Sequence, residues 1–351
     1  MRRKLSFLFT IVAMFVLVLG ACSNDAAKNK GNSGEADGEG GKRHAIVYKN
    51  TGNPFGEKLM DGFKDAIESN GDEAILRAPD SPTVEGQVQI IEELITQQVD
   101  SITVAGNDED ALEPVLKKAM EQGIKVLSTD SAVNENSRLV HVNQADPEGV
   151  GRVQIEAIAE MIDYEGEIAV LSATSQATNQ NLWIEWMEEE LKDDKYKDME
   201  LVKVAYGDDL RDKSVSETEA LLKSYPDLKG LVSPTTVGLA AASKVITDKG
   251  VQDDIKITGL GLPSEMAEYI SSGVAPWIYL WNPIELGYLA GETAIALSDE
   301  TIEGNAGDTF EVEGLGEFEV VESETGEGTE VLLGEPFKFD AENIDEWKDV
   351  Y

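Results

Sequence analysis

Ile124-Lys125-Val126-Leu127-Ser128-Thr129-Asp130-Ser131 is the stretch from which the fold is read. It follows Gly123, runs as a partly β-branched, largely apolar segment, and stops in a carboxylate flanked by hydroxyls. An apolar strand that ends at once in polar groups puts those groups at the carboxyl edge of a sheet. In an open α/β sheet, ligands bind at that edge, near a switch in strand order. Asp130 therefore has two readings. It is an acceptor for the hydroxyls of a small polyol, or it is the N-cap of the next turn or helix.

The same unit recurs on either side. His44–Lys49, Glu73–Arg77 and Ser101–Ala105 read as strands, and Glu57–Ser69 as a helix that ends before Gly71. Ser81-Pro82 reads as a helix start by cap and first-turn proline, and Val84, Val88, Ile91 and Ile95 share one helical face. Asp108 reads as the cap of a helix that Gly123 ends, and Arg138–Asn143 as a short strand. A second series opens with a helix over Pro147–Ile162. Strands are expected at Glu167–Leu171, Glu200–Ala205, Gly230–Ser233 and Lys256–Leu260, with helices at Gln180–Lys192, Lys213–Lys223 and Gly238–Asp248 between them. Trp277–Asn282 reads as a strand and Glu285–Leu297 as a helix. Two such series predict an α/β protein of two doubly wound lobes with parallel sheets. The chain changes character at 307. Phe310, Val312, Leu315, Phe318 and Val320 are spaced along Thr309–Glu322 with glycines at turns, which predicts a C-terminal β-hairpin extension. Ala341–Tyr351 is a short amphipathic end segment.

A chain of 351 residues fits roughly two domains. Its formal charge is −39, and removing residues 1–21 leaves 26 basic against 68 acidic residues. Such a surface repels nucleic acid and anionic lipid headgroups, so neither is expected as an electrostatic partner. The single cysteine, Cys22, allows no intrachain disulfide. His44 and His141 have no metal-ligand spacing, which leaves little for a zinc site or a Ser-His-Asp triad. No glycine-rich phosphate loop opens any helix. No metal and no cofactor are expected.

Arg2-Arg3-Lys4 followed by the apolar run Leu5–Leu19 reads as a signal peptide over 1–21, too short for a lasting membrane span. Leu19-Gly20-Ala21-Cys22 resembles the lipobox of bacterial lipoproteins, in which the cysteine thiol carries a diacylglyceryl group. Two acyl chains suffice for stable anchoring. Residues 22–42 would then be the lipidated cysteine and a tether. Ser23–Lys42 holds no apolar residue larger than alanine and cannot bury a core. Its root-mean-square reach is about 25 Å.

With lipobox, tether and paired lobes in view, residues 44–351 resemble the type-I periplasmic sugar-binding proteins. The nearer resemblance is to the branch of Lsr-type autoinducer-2 receptors and rhamnose-binding proteins. It is carried by Pro82-Thr83-Val84-Glu85-Gly86-Gln87-Val88-Gln89, Ala177-Thr178-Asn179-Gln180-Asn181-Leu182-Trp183 and Ser233-Pro234-Thr235-Thr236, and more weakly by Phe339-Asp340-Ala341-Glu342-Asn343-Ile344. The hairpin tail also belongs to that branch. The expected division is an N-terminal lobe of 43–144 plus 283–306 and a C-terminal lobe of 145–282 plus 307–351.

The resemblance implies ligand contacts at Lys49, Asp130, Asn179, Gln180, Pro234 and Thr236, the proline and threonine mainly through backbone. Asn179 stands where the autoinducer-2 receptors have aspartate, and Thr236 where they have alanine. Asn53-Pro54-Phe55 resembles the ribose-type loop, but Gly56 replaces a second aromatic. Read from the residues alone, Lys49, Asp130, Asn179 and Gln180 supply donors and acceptors suited to a neutral polyol. Each also has a plain alternative as a solvated or capping group. Trp277 and Trp281 lie an even number of positions apart along a strand and should share a face. Trp281 would stack on a sugar ring or pack in the core or hinge, and Asn282 is a weaker polar candidate.

The implied function is a membrane-tethered ABC-importer lipoprotein, extracytoplasmic and anchored through Cys22. It would take a small sugar or sugar-like polyol, an autoinducer-2-like furanose or rhamnose, and deliver it to a permease driven by a separate ATPase; a monomer is expected. The rival readings are a sensing co-receptor for a signalling partner, and a secreted glycosidase using Asp130. A glycosidase needs a second carboxyl about 5–9 Å away across the bond.

Overall fold

The computed structural model describes residues 41–323 and 328–351. The expected signal peptide, Cys22 and the tether through residue 40 lie outside the described residues.

The first series of units gives β1 (Arg43–Val47), α1 (Pro54–Ser69), β2 (Glu73–Arg77), α2 (Val84–Gln97), β3 (Ser101–Val104), α3 (Glu113–Glu121), β4 (Lys125–Thr129) and β5 (His141–Asn143). These strands pair in parallel, in the order β5-β4-β3-β1-β2. Parallel strands covered on both faces are apolar on both. Along β1, Ile46 packs with Leu59 and Phe63 of α1, while Ala45 and Val47 pack with Ile91 of α2 and Leu116 of α3.

The second series follows as α4 (Pro147–Met161), β6 (Gly166–Ser172), α5 (Thr178–Glu190), β7 (Met199–Tyr206), α6 (Arg211–Ser224), β8 (Leu228–Ser233), α7 (Thr236–Lys249) and β9 (Lys256–Gly259). Its parallel sheet runs β7-β6-β8-β9. α8 (Pro263–Ser271) and β10 (Trp277–Leu280) complete this lobe, and the end of β9 bridges to β10 through Leu260 and Tyr279.

The chain then returns. α9 (Pro283–Ser298) packs along α1, and β11 (Thr309–Val312) with β12 (Gly316–Glu319) makes the expected antiparallel hairpin. β13 (Val321–Glu322) and β14 (Thr329–Leu332) join the first sheet, β14 lying parallel to β5. β15 (Phe337–Asp340) crosses to pair antiparallel with β10, and α10 (Ile344–Trp347) packs against α8. The tail over 307–351, expected in the second lobe as a whole, is therefore shared. Its middle closes the open edge of β5, where Val331 becomes fully buried, and covering such an edge is the physical gain. Three passages link the lobes, at 144–146, 281–282 and 333–336.

Several helices start two or three residues before the expected position, and α2 and α3 start later than their expected caps. α2 begins two residues after Pro82, because Thr83 is its N-cap and accepts from Gly86 N (3.3 Å). Asp108 caps a turn ahead of α3, accepting from Asp110 N and Ala111 N. The contact of α1 with α9 is close because both helices carry glycine at the crossing. A Cβ on Gly62 would overlap the carbonyl of Ile284, and one on Gly287 that of Leu59.

Candidate functional site

β4 ends at Thr129, and the chain reverses at Asp130 with φ +59°. Ser131 N donates to Thr129 O across this residue (2.7 Å). A three-residue turn with positive φ is strained for any residue with a Cβ, and least so for aspartate and asparagine. The turn aims the carboxylate, only 4% exposed, across the gap between the lobes. Its Oδ2 lies 2.8 Å from Lys49 Nζ, and its Oδ1 accepts from Asn179 Nδ2 at 3.2 Å. These contacts, not helix capping, account for Asp130.

Lys49 follows β1 and is buried rather than solvated (5% exposed). The first sequence motif explains its placement. Gln87, within that motif, donates from Nε2 to Tyr48 O (3.2 Å) and Ala105 O (2.8 Å), and its Oε1 accepts from Asn107 N (2.9 Å). Asn107 Nδ2 in turn donates to Lys49 O (2.9 Å). One buried amide thus ties together the ends of β1 and β3 and sets the backbone of the lysine.

The second motif works alike in the other lobe. Gln180 Oε1 accepts from Ser172 Oγ and Ala173 N, both at 2.8 Å, which pins the end of β6 to the first turn of α5. Asn179 Oδ1 accepts from Gln180 N (2.9 Å), leaving its amide nitrogen for Asp130. In the third motif Ser233 Oγ donates to Leu171 O (2.8 Å), and Pro234 and Thr236 follow in the cavity wall. Lys49, Asp130, Asn179, Gln180, Pro234, Thr236 and Trp281 all line one interlobe cavity.

Asp209 is a residue the sequence reading passed over. It follows β7, has φ +52°, lines the same cavity, and accepts a hydrogen bond from Thr235 Oγ1. Burial raises its pKa, opposed by Lys49 and by the Thr235 hydrogen bond, and Asp130 adds to the rise. Burial, then Asp130 and Asp209, push the Tyr48 phenol well above its usual range. The signal was available, since Asp209 closely follows an expected strand, as Asp130 does.

Aromatic rings close the cavity. Trp281 is met edge-on by Phe55 (centroids 6.1 Å apart) and at a tilt by Trp183 (5.7 Å). Its buried Nε1 has no hydrogen-bond partner among the described residues. Trp277 does not share this site. The strand stops at Leu280, and the Trp277 ring instead carries Lys338 Nζ, 4.6 Å from its centroid. Asn282 caps α9, accepting from Ile284 N (3.0 Å) and Glu285 N (3.4 Å), and is not in the cavity wall. The glycine at 56 has a local reason: the Tyr48 ring occupies the space that a side chain there would need.

The arrangement offers an ammonium, two carboxylates, an amide, a free indole N–H and ring faces. Together they suit a neutral ring that carries hydroxyls. Among the described residues there is no cluster of three or more metal-ligating side chains, and no helix long and apolar enough to cross a membrane.

Residues 44–301 match the family described as "Periplasmic binding protein domain". The chain belongs to that family. Among solved structures, this periplasmic binding protein is similar to an ABC transporter solute-binding protein from Clostridium phytofermentas with bound L-rhamnose. The two are 45% identical over 89% of this chain and 99% of that one, with a TM-score of 0.87. It shares its fold with LsrB from Clostridium saccharobutylicum in complex with AI-2, at 21% identity, 87% and 99% coverage and a TM-score of 0.82. Among curated proteins it is 24% identical to the D-ribose/D-allose-binding protein of Pseudomonas aeruginosa, over 62% of this chain and 70% of that protein. The lobed α/β architecture read from the sequence is that of this family.

Proposed function

We propose that this periplasmic binding protein captures L-rhamnose, or a sugar closely like it, between its lobes and delivers it to an ABC permease driven by a separate ATPase. The observation that carries this reading is the cross-lobe cluster of Lys49, Asp130 and Asn179 against Trp281. A carboxylate contributed by one lobe and an amide by the other give a hydroxylated ring partners on both sides. The ligand then favours closure by its greater affinity for the closed state. Support for rhamnose over autoinducer-2 comes from the 45% identical relative, against 21% for the AI-2 complex. Asn179 favours the same choice. Aspartate there would set a second carboxylate against Asp130, whereas the amide donates to it.

The test is calorimetric titration with L-rhamnose, autoinducer-2 and D-ribose. Saturable binding of L-rhamnose, at least about tenfold tighter than either of the others, is expected. Failure to bind L-rhamnose at millimolar concentration would overturn the assignment.

The lipid anchor is part of the same proposal and rests on the Leu19–Cys22 motif and the tether composition. Cys22→Ala should abolish fatty-acid labelling and release the protein from membranes, since a surface this acidic gives no electrostatic substitute. A substituted protein that stays on the membrane without label would refute it.

A further inference from the structure

A second compartment opens beside the interlobe cluster. It measures about 490 Å³, against about 30 Å³ at the cluster itself, and small-molecule sites run to roughly 300–1,000 Å³. Asp130, Asn179 and Trp183 stand in the walls of both spaces, which are therefore contiguous. A ring held by Asp130 and Asn179 would have this compartment directly at its side.

The walls say what fits. Gln144, at the first passage between the lobes, is 1% exposed, and its Oε1 has no hydrogen-bond partner among the described residues. A buried acceptor left unmet is costly and calls for a donor. Across the space α5 presents Asn181 and Leu182 beside the Trp183 ring. His141 adds no cation there at neutral pH, because burial and then Arg138 push its pKa well below the usual value. Arg138 is a cation in the same walls, but Asp108, Glu109, Asp110, Glu185 and Glu330 outnumber it, so the space disfavours anions. The occupant is thus neutral, carries hydroxyl donors, and has an apolar face for Leu182 and Trp183.

We propose that this compartment receives a second sugar ring, so that the protein takes L-rhamnosyl disaccharides as well as the free sugar. This rests on the reading of the cluster as a sugar site, and the experiment separates the two. The full-length protein and two variants, Gln144→Leu and Leu182→Trp, are titrated with L-rhamnose, and with rutinose and neohesperidose, which join L-rhamnose to glucose through different hydroxyls. At least one disaccharide should bind as tightly as L-rhamnose. Gln144→Leu should weaken that disaccharide about 3–10-fold, the worth of one neutral hydrogen bond, and Leu182→Trp should do so by filling the space. Neither should change the affinity for L-rhamnose, and Gln144→Leu should melt no lower than the parent, because it removes an unmet polar atom. If L-rhamnose binds and both disaccharides are more than about tenfold weaker, the compartment is not a sugar subsite and the monosaccharide reading stands. Disaccharide affinity unmoved by both substitutions overturns the proposal equally. If no sugar binds, both readings fall.

Discussion

Asp130→Ala is expected to weaken L-rhamnose binding by about 10–150-fold and to lower folding stability by about 3 kcal/mol. The binding loss is that of a charged hydrogen-bond acceptor, about 1.5–3 kcal/mol. The stability loss arises because Lys49 is buried and loses its 2.8 Å partner, and breaking a buried pair from one side costs about 3–5 kcal/mol. The lower end applies here, since Asp209 also faces Lys49 and takes up part of the charge. Two further proteins separate the effects. Asp130→Asn keeps a side chain suited to the left-handed turn and removes only the charge. Lys49→Met combined with Asp130→Ala removes the stranded ammonium and should recover most of the stability without recovering binding. Urea unfolding and calorimetry read the two quantities, and a folded Asp130→Ala protein with parental affinity would remove Asp130 from the site.

Gly287→Val should lower stability by about 3 kcal/mol, at the upper end of overpacking costs. Valine has no room to enter, because its Cβ would overlap the Leu59 carbonyl. Helix propensity alone would favour alanine over this glycine by about 1 kcal/mol, and valine by less, so the sign of the result decides between propensity and packing. Gly287→Ala should fall between the two, as the same overlap begins at Cβ. A urea midpoint for Gly287→Val equal to the parent's would show that α1 and α9 are free to separate.

The alternation of apolar strand and amphipathic helix was legible from β1 to β9, because each unit carries its own periodicity. The motif residues were legible too, and the structure gives two of them a task within the fold. Gln87 and Gln180 spend most of their hydrogen bonds tying strand ends together. What sequence could not supply was partnership at long range. Nothing local to Thr329–Leu332 says that it lies beside β5, so the tail was assigned to the wrong neighbour for that part. Trp277 and Trp281 parted company because the strand stops at Leu280, a boundary that alternation does not mark. Asp209 was missed although it follows a strand as Asp130 does. Its partner Thr235 sits 26 positions away, and only the fold brings the two together.

The pairing of β14 with β5 bears on how the chain is made. Asn143 and Glu330, hydrogen-bonded across that seam, are 187 positions apart. A ribosome must release nearly the whole polypeptide before the earliest-synthesised sheet has its last strand but one. Closing so distant a pair is slow, and until it closes β5 shows unpaired backbone to its surroundings. For a nascent chain, this delay leaves the first sheet unfinished until nearly all of the polypeptide has been made. The same delay makes any product clipped ahead of residue 329 a permanently open edge, a template for aggregation rather than a shorter binding protein.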